Sequence, residues 1–141
     1  KEIVVENYIV SKTKYNGSEL TFLGISRDTN EGKKVESLFY ECFEEMALRE
    51  IKKIIDDLKN KYLIDYFIVV HRIGSVPPGN ISLLAIVSSE HRKQSLDGMA
   101  EFLDIFKKKV PIWKKEIYTD DSRWLWYKLI KLILKVEKRW K

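Results

Sequence analysis

Apolar residues recur along this chain in two rhythms. Phe43, Met46, Ala47, Ile51, Ile54, Ile55 and Leu58 return every three or four positions, the period of a helix with one buried face. Leu96, Met99, Ala100, Leu103 and Phe106 repeat the pattern and predict a second helix. Ser89 offers a side-chain oxygen to the unpaired amides of a first turn, and Glu90 suits the positive end of the dipole, so this helix is expected to begin near Ser89. It runs into Lys107, Lys108 and Lys109 before Pro111 forbids continuation. Shorter stretches rich in β-branched and aromatic residues predict strands over Glu2 to Val10, Leu20 to Ser26, Val35 to Cys42, Ile64 to His71, Ile81 to Ser88 and Ile112 to Tyr118. Tyr66 to Val70 is apolar without interruption, as expected of a strand buried on both faces and central in its sheet.

Breaks between these stretches have their own chemistry. Asn16-Gly17 marks a turn, while Gly74 and Pro77-Pro78-Gly79 end the central strand. The polar run from Arg27 to Lys34 predicts an exposed loop with Arg27 at its mouth. From Trp124 onward, Leu125, Trp126, Leu129, Ile130, Leu132, Ile133, Leu134 and Val136 predict a third helix, with an apolar face wide enough to touch two bodies. Strands and helices mix without regular βαβ alternation, which predicts an α+β fold, read as one domain over residues 1–141.

Composition narrows the setting. Apolar residues make up 45% of the 141, ample for a core. The longest apolar runs fall far short of the roughly 20 residues that span a bilayer, so no membrane segment is expected. Cys42 is the only cysteine and no signal segment opens the chain, which makes the cytoplasm the expected compartment. The net charge of +5 is uneven: residues 107–141 carry twelve Lys/Arg against four Asp/Glu, leaving residues 1–106 net negative. Such a basic end concentrates anions, whether a small phosphate compound, an acidic protein tail or nucleic acid.

Candidate chemistry gathers between His71 and Glu116. His91 and Arg92 stand in the first turn of the second helix, where backbone amides already favour an anion and Arg92 adds a bidentate grip on phosphate; a solvated first turn is the plain alternative. Lys107 and Lys114 lie on either side of the Pro111 turn, so a helix end and the start of a returning strand can bring them together. Clustered ammonium groups lower one another's pKa, freeing one to carry protons or act as a nucleophile, with Trp113 as a ring that excludes water. His71 closes a buried strand and reads as a hydrogen-bonded structural residue. Two histidines and one distant cysteine give no metal-ligand spacing, and no GxxxxGK[ST] or GxGxxG pattern occurs, so neither a metal nor a cofactor is expected.

The segments HRIGSVPPG, VSSEHRKQS and KKKVPIWKKE, with Gly24-Ile25-Ser26-Arg27 before them and Arg123-Trp124 after, resemble in order and spacing the large, catalytic subunits of molybdopterin synthase. The resemblance implies an α/β hammerhead fold with an additional antiparallel β-subdomain. It also implies sulfur transfer from the C-terminal thiocarboxylate of a small ubiquitin-like subunit to cyclic pyranopterin monophosphate, in a homodimer within a heterotetramer. By match of motif, Lys107 and Lys114 fall on catalytic positions and Arg27, His91 and Arg92 on substrate-binding ones, with Lys128 a weaker candidate. Glu41 to Met46 stands where such proteins tend to have a Tyr-Pro turn, a departure that touches helix entry rather than the lysines. A non-catalytic basic module for RNA or an acidic protein is the alternative; it accounts for the charge but not for the motifs. His91 and Lys107 are sixteen residues apart on one predicted helix, about 24 Å. One small substrate cannot touch both, so His91 and Arg92 are expected to serve the partner protomer's site.

Overall fold

The uninterrupted apolar run from Tyr66 to Val70 lies in the strand on which the other elements assemble. A computed structural model of the chain describes residues 2–8, 14–30, 33–118 and 130–137. In order these form a short 3-10 turn at Val5–Tyr8, strands β1 (Ser18–Ile25), β2 (Thr29–Asn30) and β3 (Lys33–Cys42), helix α1 (Glu44–Tyr62), strands β4 (Ile64–Val76) and β5 (Ile81–Ser89), helix α2 (Arg92–Lys109), and strands β6 (Ile112–Tyr118) and β7 (Ile130–Glu137). All pairings are antiparallel, as a chain of hairpins and long returns allows. The architecture is α+β.

β4 has two sets of neighbours. Over Ile64 to His71 it pairs with β5, over Tyr66 to Ile73 with β7, and β1 closes the far side of β5. At Gly74 to Val76 it leaves that four-stranded sheet and pairs with β3, which carries β2 and β6. Gly74 sits at the handover with φ 98, a backbone setting open to glycine without strain, so the glycine bends the strand instead of ending it. The second antiparallel unit, β2, β3 and β6, is built on that extension.

Alternation along β4 separates two cores. Phe67, Val69 and Ile73 face the helices, meeting Ala47, Ile51, Ile55 and Leu58 of α1 and Met99 and Phe102 of α2. Ile68 and Val70 face the opposite side with Leu84 and Ile86, under Ile3 of the amino-terminal segment. Both faces of the strand are buried, as its composition predicts. The end of α1 is tied to the middle of α2 by Glu101, whose carboxylate accepts hydrogen bonds from Tyr62 Oη at 2.6 Å and Lys61 Nζ at 2.8 Å.

Four expectations from the pattern are corrected. The polar run from Arg27 to Lys34 is not a loop throughout: Thr29 and Asn30 form β2, paired with Lys34 and Lys33 of β3. No strand forms over residues 2–8: Asn7 N–H donates to Val4 C=O to close a turn, and Ile3 reaches burial by lying against the second face without joining the ladder. Residues 9–13 lie outside the described residues. The second helix starts later than Ser89, which stays in the sheet paired with both Ser18 and Ile64; His91 is the N-cap. The third helix is replaced over its described part by β7. Ile130, Leu132, Leu134 and Val136 also alternate with period two, and pairing with the open edge of β4 over eight positions outweighs a weak helical preference. Residues 119–129, with Lys128, Arg123 and the Trp124 start of the expected helix, lie outside the described residues.

Leu63, the C-cap of α1, is left-handed at φ 56 and ψ 49, a conformation costly for any residue with a Cβ. Its side chain is half exposed and contributes little burial. Leu63→Gly is expected to raise stability by about 1 kcal/mol, read from chemical denaturation midpoints at unchanged slope.

Candidate functional site

Ser26 fixes one corner of the site. Its N–H donates to Asn80 C=O at 3.0 Å, its C=O accepts from Gly79 N–H at 2.8 Å, and its buried Oγ donates to Val76 C=O at 3.3 Å. The end of β1 is thereby locked to the Pro77-Pro78-Gly79 turn, and Gly79, at φ 85, takes the positive φ that this turn needs. Arg27 leaves this lock exposed to solvent. Val76 in turn pairs with Leu38 of β3, and Leu38 with Glu116 of β6, so Arg27 stands at the end of the fold where β3 and β6 join β4.

Lys107 and Lys114 occupy the same end. Lys107 lies in the last turn of α2, where cations favour the negative end of the dipole. Val110 N–H donates to Phe106 C=O at 3.2 Å and Ile112 N–H to Val110 C=O at 2.8 Å, turning the chain from α2 directly into β6. Val110 is buried at the bend. Lys114 then lies opposite Tyr40 in the β3–β6 ladder, and Tyr40 lies opposite Gly74 in the β3–β4 ladder. Residues directly opposite in an antiparallel pair share a face. Tyr40 packs against the helix-side core, so Lys114 is on the side where α2 ends. Both ammonium groups are exposed.

Beneath them is a row of rings. His71 meets Tyr40 edge-on, centroids 4.8 Å apart at 72°, and stacks on Phe106 at 5.8 Å and 14°. Phe106 continues to Phe102 and Phe102 to Phe67. His71 is buried, and burial drags its pKa down to about 4 although the bond to Arg72 C=O acts the other way. That bond, 2.8 Å from Nδ1, requires Nδ1 to hold the ring proton, since a carbonyl only accepts. The histidine is therefore a neutral, hydrogen-bonded packing residue, as expected from the sequence, although β4 runs past it to Val76 instead of ending there. Arg72, one residue on, is buried on the far side of the sheet; burial lowers its pKa and the Glu2 carboxylate partly restores it.

His91 and Arg92 are elsewhere. They sit at the amino end of α2, exposed, with His91 N–H donating to Gln94 Oε1 at 2.9 Å and its Nε2 3.0 Å from Glu90 Oε1. Ser89 Oγ reaches His91 C=O at 2.7 Å and the buried Ser95 Oγ, which secures this first turn from below. The length of α2 separates them from Lys107 by about 24 Å. One chain thus gathers Arg27, Lys107 and Lys114 at one end and sets His91 and Arg92 at the other. Trp113's side chain lies outside the described residues. Among the described residues, no group of three His, Cys, Asp or Glu side chains gathers as metal ligands would. The Cys42 thiol, near the α1 start, is pushed up by burial and then by Glu44.

Pattern reasoning had no signal for Tyr40 and Phe106 as parts of this site. Each reads locally as one more apolar position, and only the pairing of distant strands brings them to His71.

Comparison with known proteins gives one consistent picture. The family described as MoaE protein matches residues 1–109. The molybdopterin synthase catalytic subunit of Dictyostelium discoideum is 44% identical over 121 residues, 84% of this chain and 77% of that protein. Other curated relatives are longer, and the chain spans 57% of one and 30% of another. Among solved structures, molybdopterin synthase from Staphylococcus aureus superposes with a TM-score of 0.79 at 34% identity, covering 90% of this chain and 93% of that one. A complex of subunits 1 and 2 of molybdopterin-converting factor from Helicobacter pylori gives 0.62 at 25% identity, over 77% and 75%.

The neutral state of His71 has a measurable consequence. Its folded pKa, about 4, lies below the ordinary 6.5, so protons favour the unfolded chain: its contribution is complete above pH 6.5 and fades as pH falls toward 4. By pH 4.5 this loss amounts to about 2 kcal/mol. His71→Phe removes it, so denaturation at pH 7 and pH 4.5 is expected to show a smaller acid loss in the variant than in the parent.

Proposed function

Because the chain belongs to the MoaE protein family, we propose that it is a catalytic subunit of molybdopterin synthase, moving sulfur from the C-terminal thiocarboxylate of a small ubiquitin-like subunit onto cyclic pyranopterin monophosphate. The observation that carries this reading is the placement of Lys107 and Lys114 on the two arms of the α2–β6 reversal, both exposed, at the end of the fold that also holds Arg27. Two ammonium groups on one side of a sheet suit a reaction in which charge moves from a thiocarboxylate to an acyl oxygen. The enzyme acts in the cytoplasm, a placement in keeping with its lone cysteine.

The chemistry asked of these residues is modest and electrostatic. The thiocarboxylate sulfur bonds to a side-chain carbon of the pterin as a carbon–oxygen bond at that carbon breaks and the departing oxygen takes up a proton; water then attacks the acyl carbon and the acyl–sulfur bond breaks, so that the sulfur stays with the pterin as a thiolate and the small subunit departs with a C-terminal carboxylate. Lys107 and Lys114 orient the incoming tail, carry protons, and stabilise the oxyanion on the acyl carbon as the carbon–sulfur bond breaks. A second round supplies the other sulfur of the dithiolene. Arg27 holds the substrate's phosphate as a bidentate cation.

His91 and Arg92 complete the phosphate site of the neighbouring protomer. Their separation from Lys107 along a rigid helix supports this arrangement, and so does the exposed helix start on which they stand. The working assembly is then a homodimer of this chain carrying two small subunits, a heterotetramer with two composite sites.

Lys107→Ala and Lys114→Ala are each expected to lower the rate of molybdopterin formation by about a hundredfold or more when thiocarboxylated small subunit is supplied in excess; near-normal turnover in both would refute the reading. Composite sites make a second outcome measurable. A His91→Ala/Arg92→Ala protein and a Lys107→Ala protein, each inactive alone, regain about a quarter of parental activity when their subunits are mixed and exchanged, since half the dimers then hold one intact site. A mixture as inactive as its components would show that each site is built within one chain.

A further inference from the structure

Both proposed catalytic lysines stand on elements that are weakly held at that point. Lys107 is in the last turn of α2, where helices fray, and Lys114 is on β6, which among the described residues pairs only with β3. Among the described residues, neither ammonium group makes a hydrogen bond that would fix it. Their mutual placement therefore depends on whatever joins the end of α2 to the β3–β6 ladder.

We infer that His71 is that joint: a positioning residue that holds Lys107 and Lys114 in register with each other by packing at once against Phe106, the neighbour of Lys107, and Tyr40, the cross-strand partner of Lys114. The inference rests on the proposed roles of the two lysines. The two ring contacts, 5.8 Å stacked and 4.8 Å edge-on, come from different elements and meet on a third, the central strand. A shift of the imidazole moves both arms of the reversal together.

Histidine suits this position for a reason phenylalanine does not share. The 2.8 Å bond from Nδ1–H to Arg72 C=O fixes the plane of the ring, whereas a phenyl ring could turn about its own axis. Near-parallel stacking on one side and a near-perpendicular contact on the other both require that plane. The ring also stays uncharged when buried, so it adds no third cation under the lysine pair. Gly74, opposite Tyr40 on the β4 side, has no side chain to hold the tyrosine ring away from His71.

The test reads lysine reactivity as well as turnover, on the full chain with its thiocarboxylated partner. Acylation of individual lysines at limiting reagent, followed by mass spectrometry, reports the environment of each ammonium; Lys93, paired with Asp97 at the other end of α2, is the internal reference. In His71→Ala, the labelling rates of Lys107 and Lys114 are expected to change several-fold relative to Lys93, with kcat down roughly tenfold to a hundredfold and KM for the pterin substrate little altered. His71→Phe, which fills the space but lacks the Nδ1–H donor that fixes the ring plane, restores only part of kcat and of both labelling rates. Phe106→Leu and Tyr40→Leu, which leave the imidazole in place, shift Lys107 and Lys114 respectively, so the pattern can be read even if His71→Ala does not fold. A His71→Ala protein that melts earlier but keeps kcat and both labelling rates per folded molecule overturns the inference. Labelling that shifts while turnover holds would support the positioning role and remove the lysines from the chemistry, which separates failure of this inference from failure of the functional reading beneath it.

Discussion

Everything in this fold is arranged around a strand that cannot be exposed on either side. β4 places Phe67, Val69 and Ile73 under the helices and Ile68 and Val70 under the amino-terminal segment. Its first ten residues fill a four-stranded sheet, and its last three found a second antiparallel unit. Two-sided burial fixes register strongly, because a slip of one residue would exchange the two cores. His71 and Gly74 fall where the strand passes from one unit to the other, so the handover between the two units lies beside the candidate site.

The two helices show how an ordinary core serves an asymmetric surface. α1 and α2 pack over the same face of the sheet, yet only α2 carries candidate chemistry, and it carries it at its ends. Its middle is spent on Met99 and Phe102, its amino end is secured by Ser89 and Ser95, and its carboxyl end passes through Val110 directly into β6. Helix termini are where backbone groups lack internal partners, which is why anion-binding and cation-bearing residues can be placed there without disturbing a core.

Much of this could be read from residue order, and the failures are physical in origin. α1, α2, β4, β5 and β6 follow from periodicity because each has one dominant rhythm. The segment after Leu129 carries two rhythms at once, period two and a helical repeat, and only the vacant edge of β4 decides between them. Ile3 and its neighbours signal burial but not pairing, since a buried side chain can be had without a ladder. Ser89 has the side chain of a cap and the backbone of a strand residue, and its two ladder partners prevail. At the candidate site, Arg27, Lys107 and Lys114 are visible as charges at element ends, whereas the Tyr40, His71 and Phe106 contacts depend on three segments that no local pattern connects.

The eighteen residues of α2 also act as a gauge. A rigid helix converts residue number into distance and angle: one residue more or less moves one end by about 1.5 Å and rotates it by about 100° relative to the other. The hydrophobic core would object to such a change only through Met99, Phe102 and their neighbours, and could be repacked over generations. The separation between the His91 end and the Lys107 end has no such freedom if both ends must meet ligands set by a second subunit. Helix length then becomes a quantity on which selection acts directly, and the span from His91 to Lys107 should keep its count.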